Sequence, residues 1–503
     1  MTNKIKMLLL ASLTIVACNN NDDATVDPSS SDGKALTSGT ADFSNYVAVG
    51  NSLTAGFSDG ALFIEGQKTS WTAILADQFK LVGGGEFKIP FMTDNLGGFN
   101  AGGVQIPSLG TRLYFNGSGP APVSGISGTS VTAVLTGKFN NMGVPGAKSF
   151  HLLANGYGSA NPYFGRFASS PTASVIKDAT DQSPTFFTLW IGNNDVLGYA
   201  TTGGDGTNPI TPAVGAPGVG FDGSYTALIT QLTANGAKGA ISNIPYVTSV
   251  PFFTTVPTNP VPGLPPTSAG QLNQLFGGIN SALTASGLPT RFATLASDDG
   301  NPATVEANPL LLKDESLINI SAQITAALTP TFGAGTAAYL GSIYGQARHA
   351  SNAAATRDYV LLTARTIIGT TQAGAPAPFN TVGISYPMQD NAILTASETT
   401  EVKIATDAYN LTIKGLADSK GLAFVNANAI LNEVATTGVV SNGYTVRSAY
   451  VSGGGFSLDG VHPSPRGYAL IANEFMKSIN ATYGSNLKAV DLNKYRILFP
   501  KNL

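Results

Sequence analysis

Short unbroken apolar runs alternate along this chain with segments whose apolar residues recur every three or four positions. Tyr46-Val47-Ala48-Val49, closed by Gly50, has the pattern of a strand buried on both faces. Behind it Trp71, Ile74, Leu75 and Phe79 repeat at helical spacing, with Ser70 in the N-cap position. Thr185 to Ile191 is a second buried-strand run, ending at Gly192. Tyr225, Leu228, Ile229 and Leu232 then mark a helix closed by Gly236, and Ala240 to Ile244 forms the next strand. Thr395 and Glu398 stand in the capping-box spacing at the head of a helix that runs to Lys420, with Gly421 as its stop. Leu422 to Val425 is a further strand. Ser464 and Pro465 open a last helix, whose Tyr468, Ile471, Phe475 and Ile479 share one face.

This alternation predicts an α/β sandwich with a mainly parallel sheet. Two stretches break the pattern. Residues 80–139 are Gly-rich with short alternating runs such as Thr111 to Phe115, which predict loops and hairpins inserted in the framework. Residues 245–390 begin with the Pro-rich apolar stretch Pro245 to Pro266 and continue with a weak helical pattern, as expected of a second insertion or a cap. Phe252, Phe253, Val256, Val261 and Leu264 in that stretch are more apolar surface than a solvated loop exposes. They bury either over a site at the sheet edge or in an outlying part of the core.

Composition narrows the function classes. Charged residues make up 11% of the 503, the formal net charge is −3, and Lys and Arg never cluster, so the chain carries no electrostatic footprint for nucleic acid. The single cysteine, Cys18, excludes an intrachain disulfide and a multi-thiolate metal site. It follows a basic segment with Lys4 and Lys6 and an apolar run from Met7 to Ala17 that is too short to span a bilayer, the pattern of an export signal. Residues 18–41, rich in Asn, Asp, Ser and Gly, predict a flexible tether, and the folded domain is expected over 42–503.

Candidate chemistry centres on histidine, of which there are three. His462 lies in Asp459-Gly460-Val461-His462-Pro463, where a carboxylate three residues ahead across a Gly-containing turn can reach the imidazole. His151 and His349 have no such partner nearby in sequence. Alone, Asp-x-x-His is more often a surface loop than a catalytic pair. Three further segments accompany it. Gly50-Asn51-Ser52-Leu53 sets a serine directly after a buried strand, at the edge where open α/β sheets place their sites. Asn141-Met142-Gly143-Val144-Pro145-Gly146 is a turn whose glycine amide can approach a ligand closely. Gly192-Asn193-Asn194-Asp195 follows the second buried strand and offers a side-chain amide. Two rival patterns fail on context. Ser58, in Gly56-Phe57-Ser58-Asp59-Gly60, fits a nucleophile elbow but lies several residues beyond the strand end. No strand leads into Gly218 to Gly223, which otherwise matches a dinucleotide fingerprint.

In this order the four segments resemble the first, second, third and fifth blocks of the SGNH hydrolases, the GDSL esterases and lipases. The resemblance implies a three-layer, flavodoxin-like α/β/α sandwich and serine ester hydrolysis without cofactor or metal. Ser52 would be the nucleophile, His462 the base and Asp459 its orienter, with the amides of Ser52 and Gly146 and the Asn194 side chain as oxyanion donors. Asn51 stands where the family usually has Asp, and the gap from Asn194 to Asp459 is unusually long. A carbohydrate O-acetyl esterase and a catalytically silent surface-binding protein are the alternatives. The Ala17-Cys18 junction resembles a bacterial lipobox, implying signal removal over 1–17, acylation of Cys18 and, with Asn19 following it, an outer-membrane lipoprotein. The expected partners are therefore a small-molecule or lipid ester and a membrane.

Overall fold

The computed structural model describes residues 34–503 apart from Pro302 and Asn442. The expectations for the export signal, for Cys18 and for most of the tether lie outside the described residues. The fold is α/β. Its central sheet has five parallel strands, β1 (Tyr46–Gly50), β2 (Asn141–Gly143), β3 (Phe186–Trp190), β4 (Lys238–Ser242) and β5 (Ala423–Val425), in the order β5-β4-β3-β1-β2. Every residue of β1 and β3 is buried, as their unbroken apolar runs require. β4 begins and ends two residues earlier than the apolar run suggests. Asn243 and Ile244 leave the ladder with β3, and Asn243 O accepts from Trp190 Nε1.

The described residues form thirteen α-helices, among them α1 (Ser52–Ala55), α2 (Trp71–Lys80), α3 (Asn194–Thr201), α4 (Phe221–Thr233), α5 (Pro266–Ala285), α6 (Ser321–Tyr344), α7 (Ala396–Lys420), α8 (Ala427–Ala435) and α9 (Pro465–Tyr483). α2 and α9 pack together through Trp71 stacked on Phe475 at 4.1 Å, and α9 also lies against β5. α4 and α7 pack together through Phe221 stacked on Tyr409 at 4.1 Å, and α7 lies against β4 and β5. The predicted caps are present. The Ser70 hydroxyl accepts from the Ala73 amide, Thr395 and Glu398 close the capping box of α7, and Gly421 takes the left-handed stop conformation.

Two further apolar clusters lie apart from the main core. Residues 80–139 form two small hairpins, pairing Asn100–Ala101 with Val104–Gln105 and Leu113–Phe115 with Pro120–Pro122. Met92 and Phe99 in this region pack with Leu62 and Tyr163. The second core runs from Val256 to Ile393 and includes α5 and α6, α6 being broken at Gly333. Val247, Val250 and Phe253 belong to the main core, and the separate cluster starts at Val256.

Candidate active site

β1 delivers the chain to its C-terminal edge, where Asn51 caps the single-turn helix α1. The Asn51 side-chain oxygen accepts the Leu53 amide at 3.0 Å and its Nδ2 reaches Asn193 Oδ1 at 3.4 Å, so this residue shapes the turn as a short polar side chain at an N-cap should. Ser52 is thereby the first helical residue, 7% exposed. α1 lies directly on β2: a Cβ at Gly143 would sit 2.3 Å from the Ala55 nitrogen, so only glycine permits this approach. Asn141 fastens the contact, its Nδ2 donating to Thr54 O at 2.9 Å.

The loop after β2 turns at Gly146, which is exposed and takes a left-handed φ of 80°. Its neighbour Ala147 accepts a hydrogen bond from Asn194 Nδ2 at 2.9 Å, which fixes the Asn194 amide at the start of α3. The second Nδ2 hydrogen stays available for another acceptor. Asp195 braces the same two loops from beneath, accepting from the Ser149 amide at 2.8 Å and the Ser149 hydroxyl at 2.7 Å. Burial raises its carboxyl to about 6 against the pull of those bonds. Among the described residues the amides of Ser52 and Gly146 donate to no protein acceptor.

His462 arrives from the turn before α9. Its Nδ1 lies 2.9 Å from Asp459 Oδ2 and its Nε2 lies 2.9 Å from Ser52 Oγ. With the Nδ1 proton donated to the carboxylate, Nε2 is left to accept the serine proton. Phe57 packs on the imidazole at 4.6 Å. Both Asp459 oxygens are saturated. Oδ1 accepts from the amides of Val461 and His462 and from the Ser457 hydroxyl, and Oδ2 accepts from Gly60 N–H at 2.9 Å besides the imidazole. Burial alone would raise this carboxyl, but the His462 charge and these bonds outweigh it and hold it at about 2.

The segment Ser58 to Gly60 thus enters the site in a role that sequence spacing did not assign. Ser58 is buried and donates to Pro463 O, so it is no nucleophile. Asp59 stands at a φ of 52°; its amide donates to Ser457 Oγ at 2.9 Å, and its Oδ1 accepts the Leu458 amide at 2.8 Å. This turn clasps the loop that carries Asp459 and His462. A G-x-S-x-G pattern is legible in sequence, but partners some 400 residues away along the chain are not.

Ser52, Asn194 and His462 line one cavity of about 120 Å³, whose remaining wall is mainly apolar and includes Trp190, Val250, Val434 and Phe475. Gly146 is not among its lining residues. Neither are Phe252 and Phe253: Phe253 is fully in the main core, and Phe252 N–H donates to Gly460 O at 2.9 Å. From the Pro-rich stretch only Pro245, Val247 and Val250 reach the cavity. The other histidines stand elsewhere. His151 stacks on Tyr157 at 4.7 Å, and His349 is buried against Phe276 and Phe292 in the second core. The fingerprint-like Gly218 to Gly223 leads into α4 with no strand before it.

Comparison with family models, with curated proteins and with solved structures finds no significant match for this chain.

Proposed function

We propose that this protein is an SGNH-type serine hydrolase of carboxylic esters, a three-layer α/β/α sandwich working through an acyl-enzyme. The observation that carries the reading is the relay from Ser52 Oγ through His462 to Asp459, two contacts of 2.9 Å, at the C-terminal edge of a parallel sheet beside an apolar cavity. Ser52 Oγ attacks the ester carbonyl carbon while His462 Nε2 takes its proton. The carbonyl oxygen becomes an oxyanion, for which the Ser52 and Gly146 amides and the free Asn194 Nδ2 hydrogen are the donors. His462 returns the proton to the departing alkoxide as the C–O bond breaks. A water, deprotonated by His462, then attacks the acyl-enzyme, and Ser52 leaves with the proton as the acid is released. Asp459, held as an anion, stabilises the imidazolium at both stages.

The Asn51 substitution fits this scheme, since Asn51 caps α1 and carries no proton in the relay. A silent binding module has no need of a saturated carboxylate, an aligned imidazole and a half-free amide around one hydroxyl. The proposal extends to location: export and acylation at Cys18, on the strength of the lipobox-like sequence alone. Among the described residues no helix is long and apolar enough to cross a membrane.

The test is a hydrolysis panel of aryl and alkyl esters from acetate to long acyl chains, with acetylated glycans included and Ser52→Ala as the blank. The reading requires ester turnover that Ser52→Ala abolishes while its circular dichroism stays that of the parent. Equal turnover in parent and variant would overturn it.

A further inference from the structure

The cavity beside Ser52 has a chemical character that the relay does not need. Its polar lining gathers at the Ser52 end, apart from Glu474, which pairs with Lys477 at 3.6 Å. The rest of its wall is hydrocarbon contributed by separate elements: Trp190 from β3, Val250 from the stretch after β4, Val434 from α8, Val446, and Ile471 and Phe475 from α9. Such a wall offers no partners for sugar hydroxyls, whose desolvation would go uncompensated. It rewards each methylene removed from water.

We propose that this cavity holds the acyl half of the substrate, an unbranched aliphatic chain of roughly five carbons beyond the carbonyl. The inference rests on the serine-hydrolase reading and adds the substrate class. Size sets the length. A dry cavity of ~150 Å³ accommodates a six-carbon ring, so about 120 Å³ accommodates slightly less. The order of events decides which half enters. The alcohol must depart after the first step and be replaced by water at His462 Nε2, whereas the acyl group stays through both steps. A pocket lined by packed side chains therefore suits the half that remains.

Two ester series with the full-length protein test this. In the first, 4-nitrophenyl esters run from acetyl to dodecanoyl with the leaving group constant; in the second, acetate esters carry alcohols of increasing length. The expected kcat/KM in the first series rises about fourfold per methylene to an optimum near hexanoyl and then falls, while the second series stays flat. Ile471→Trp should move the optimum toward acetyl, and Ile471→Ala should move it toward longer chains. A structural role alone would scale all chain lengths equally and leave the optimum in place. Ser52-dependent hydrolysis with a flat acyl series, or with a length optimum only in the alcohol series, would overturn the acyl assignment and leave the esterase reading standing. Failure of the parent to hydrolyse any ester would overturn both.

Discussion

Replacing Asp59 by Asn should change how the stability of this protein depends on pH, and the structure supplies the size of the effect. Asp59 is 1% exposed, and its Oδ2 has no hydrogen-bond partner. Burial pushes the carboxyl up from its ordinary 3.8 to about 7. The Leu458 amide and the Arg112 charge pull it down less, and the neighbouring Asp459 charge adds to the rise. Because the folded value lies above the unfolded one, the native state keeps a proton that the unfolded chain has already released. The stability this confers is complete below pH 3.8 and is lost as pH rises through 7. The whole rise corresponds to roughly 4 kcal/mol, of which roughly 2 to 3 kcal/mol is lost between pH 5 and pH 8. Asn cannot titrate. It still offers an oxygen to the Leu458 amide, and its extra buried N–H groups cost about 1–3 kcal/mol at either pH.

The assay is urea unfolding of parent and Asp59→Asn at pH 5 and pH 8. Comparing the two proteins at each pH cancels other groups raised by burial, Asp195, Glu398 and Asp390 among them. The variant should be the less stable protein at pH 5, and the difference should shift in its favour by roughly 2 to 3 kcal/mol at pH 8. An identical difference at both pH values would refute the account of Asp59 as a carboxyl kept neutral by its burial beside Asp459.

Asn194→Ala should lower kcat by about 10²- to 10³-fold, the usual cost of one oxyanion donor, with an unchanged rate showing that Asn194 only anchors Ala147. Phe253→Ala, deep in the main core, should cost about 3–5 kcal/mol in urea unfolding; a stable variant with altered chain-length preference would mark it as a cap residue instead. Cys18→Ser should release the protein from washed membranes into the soluble fraction, and retention there would point to another anchor.

Local rules determined much of this molecule. The strands β1 and β3, the caps of α2, α7 and α9 and the stop at Gly421 depend on neighbours within a few residues, where apolar period and side-chain-to-backbone bonds act directly. The pairing of Asp459 with His462 is equally local, three residues across a turn. Its contact with Ser52 joins positions 410 apart, and it was legible because residue types limit the chemistry: one of three histidines had a carboxylate in reach, and Ser52 stood directly after a buried strand closed by a glycine. What only the tertiary structure decided lies in contacts with no sequence period. The hairpin and second cores, the membership of Val247, Val250 and Phe253 in the main core and the closure of an apolar cavity between α8, α9 and the sheet all depend on which surfaces meet. The clasp of Ser58 to Gly60 on Asp459 is of the same kind. A backbone amide carries no residue identity, so a Gly60 N–H aimed at a carboxylate leaves no mark in the sequence beyond the glycine itself, and only the fold brings the two together.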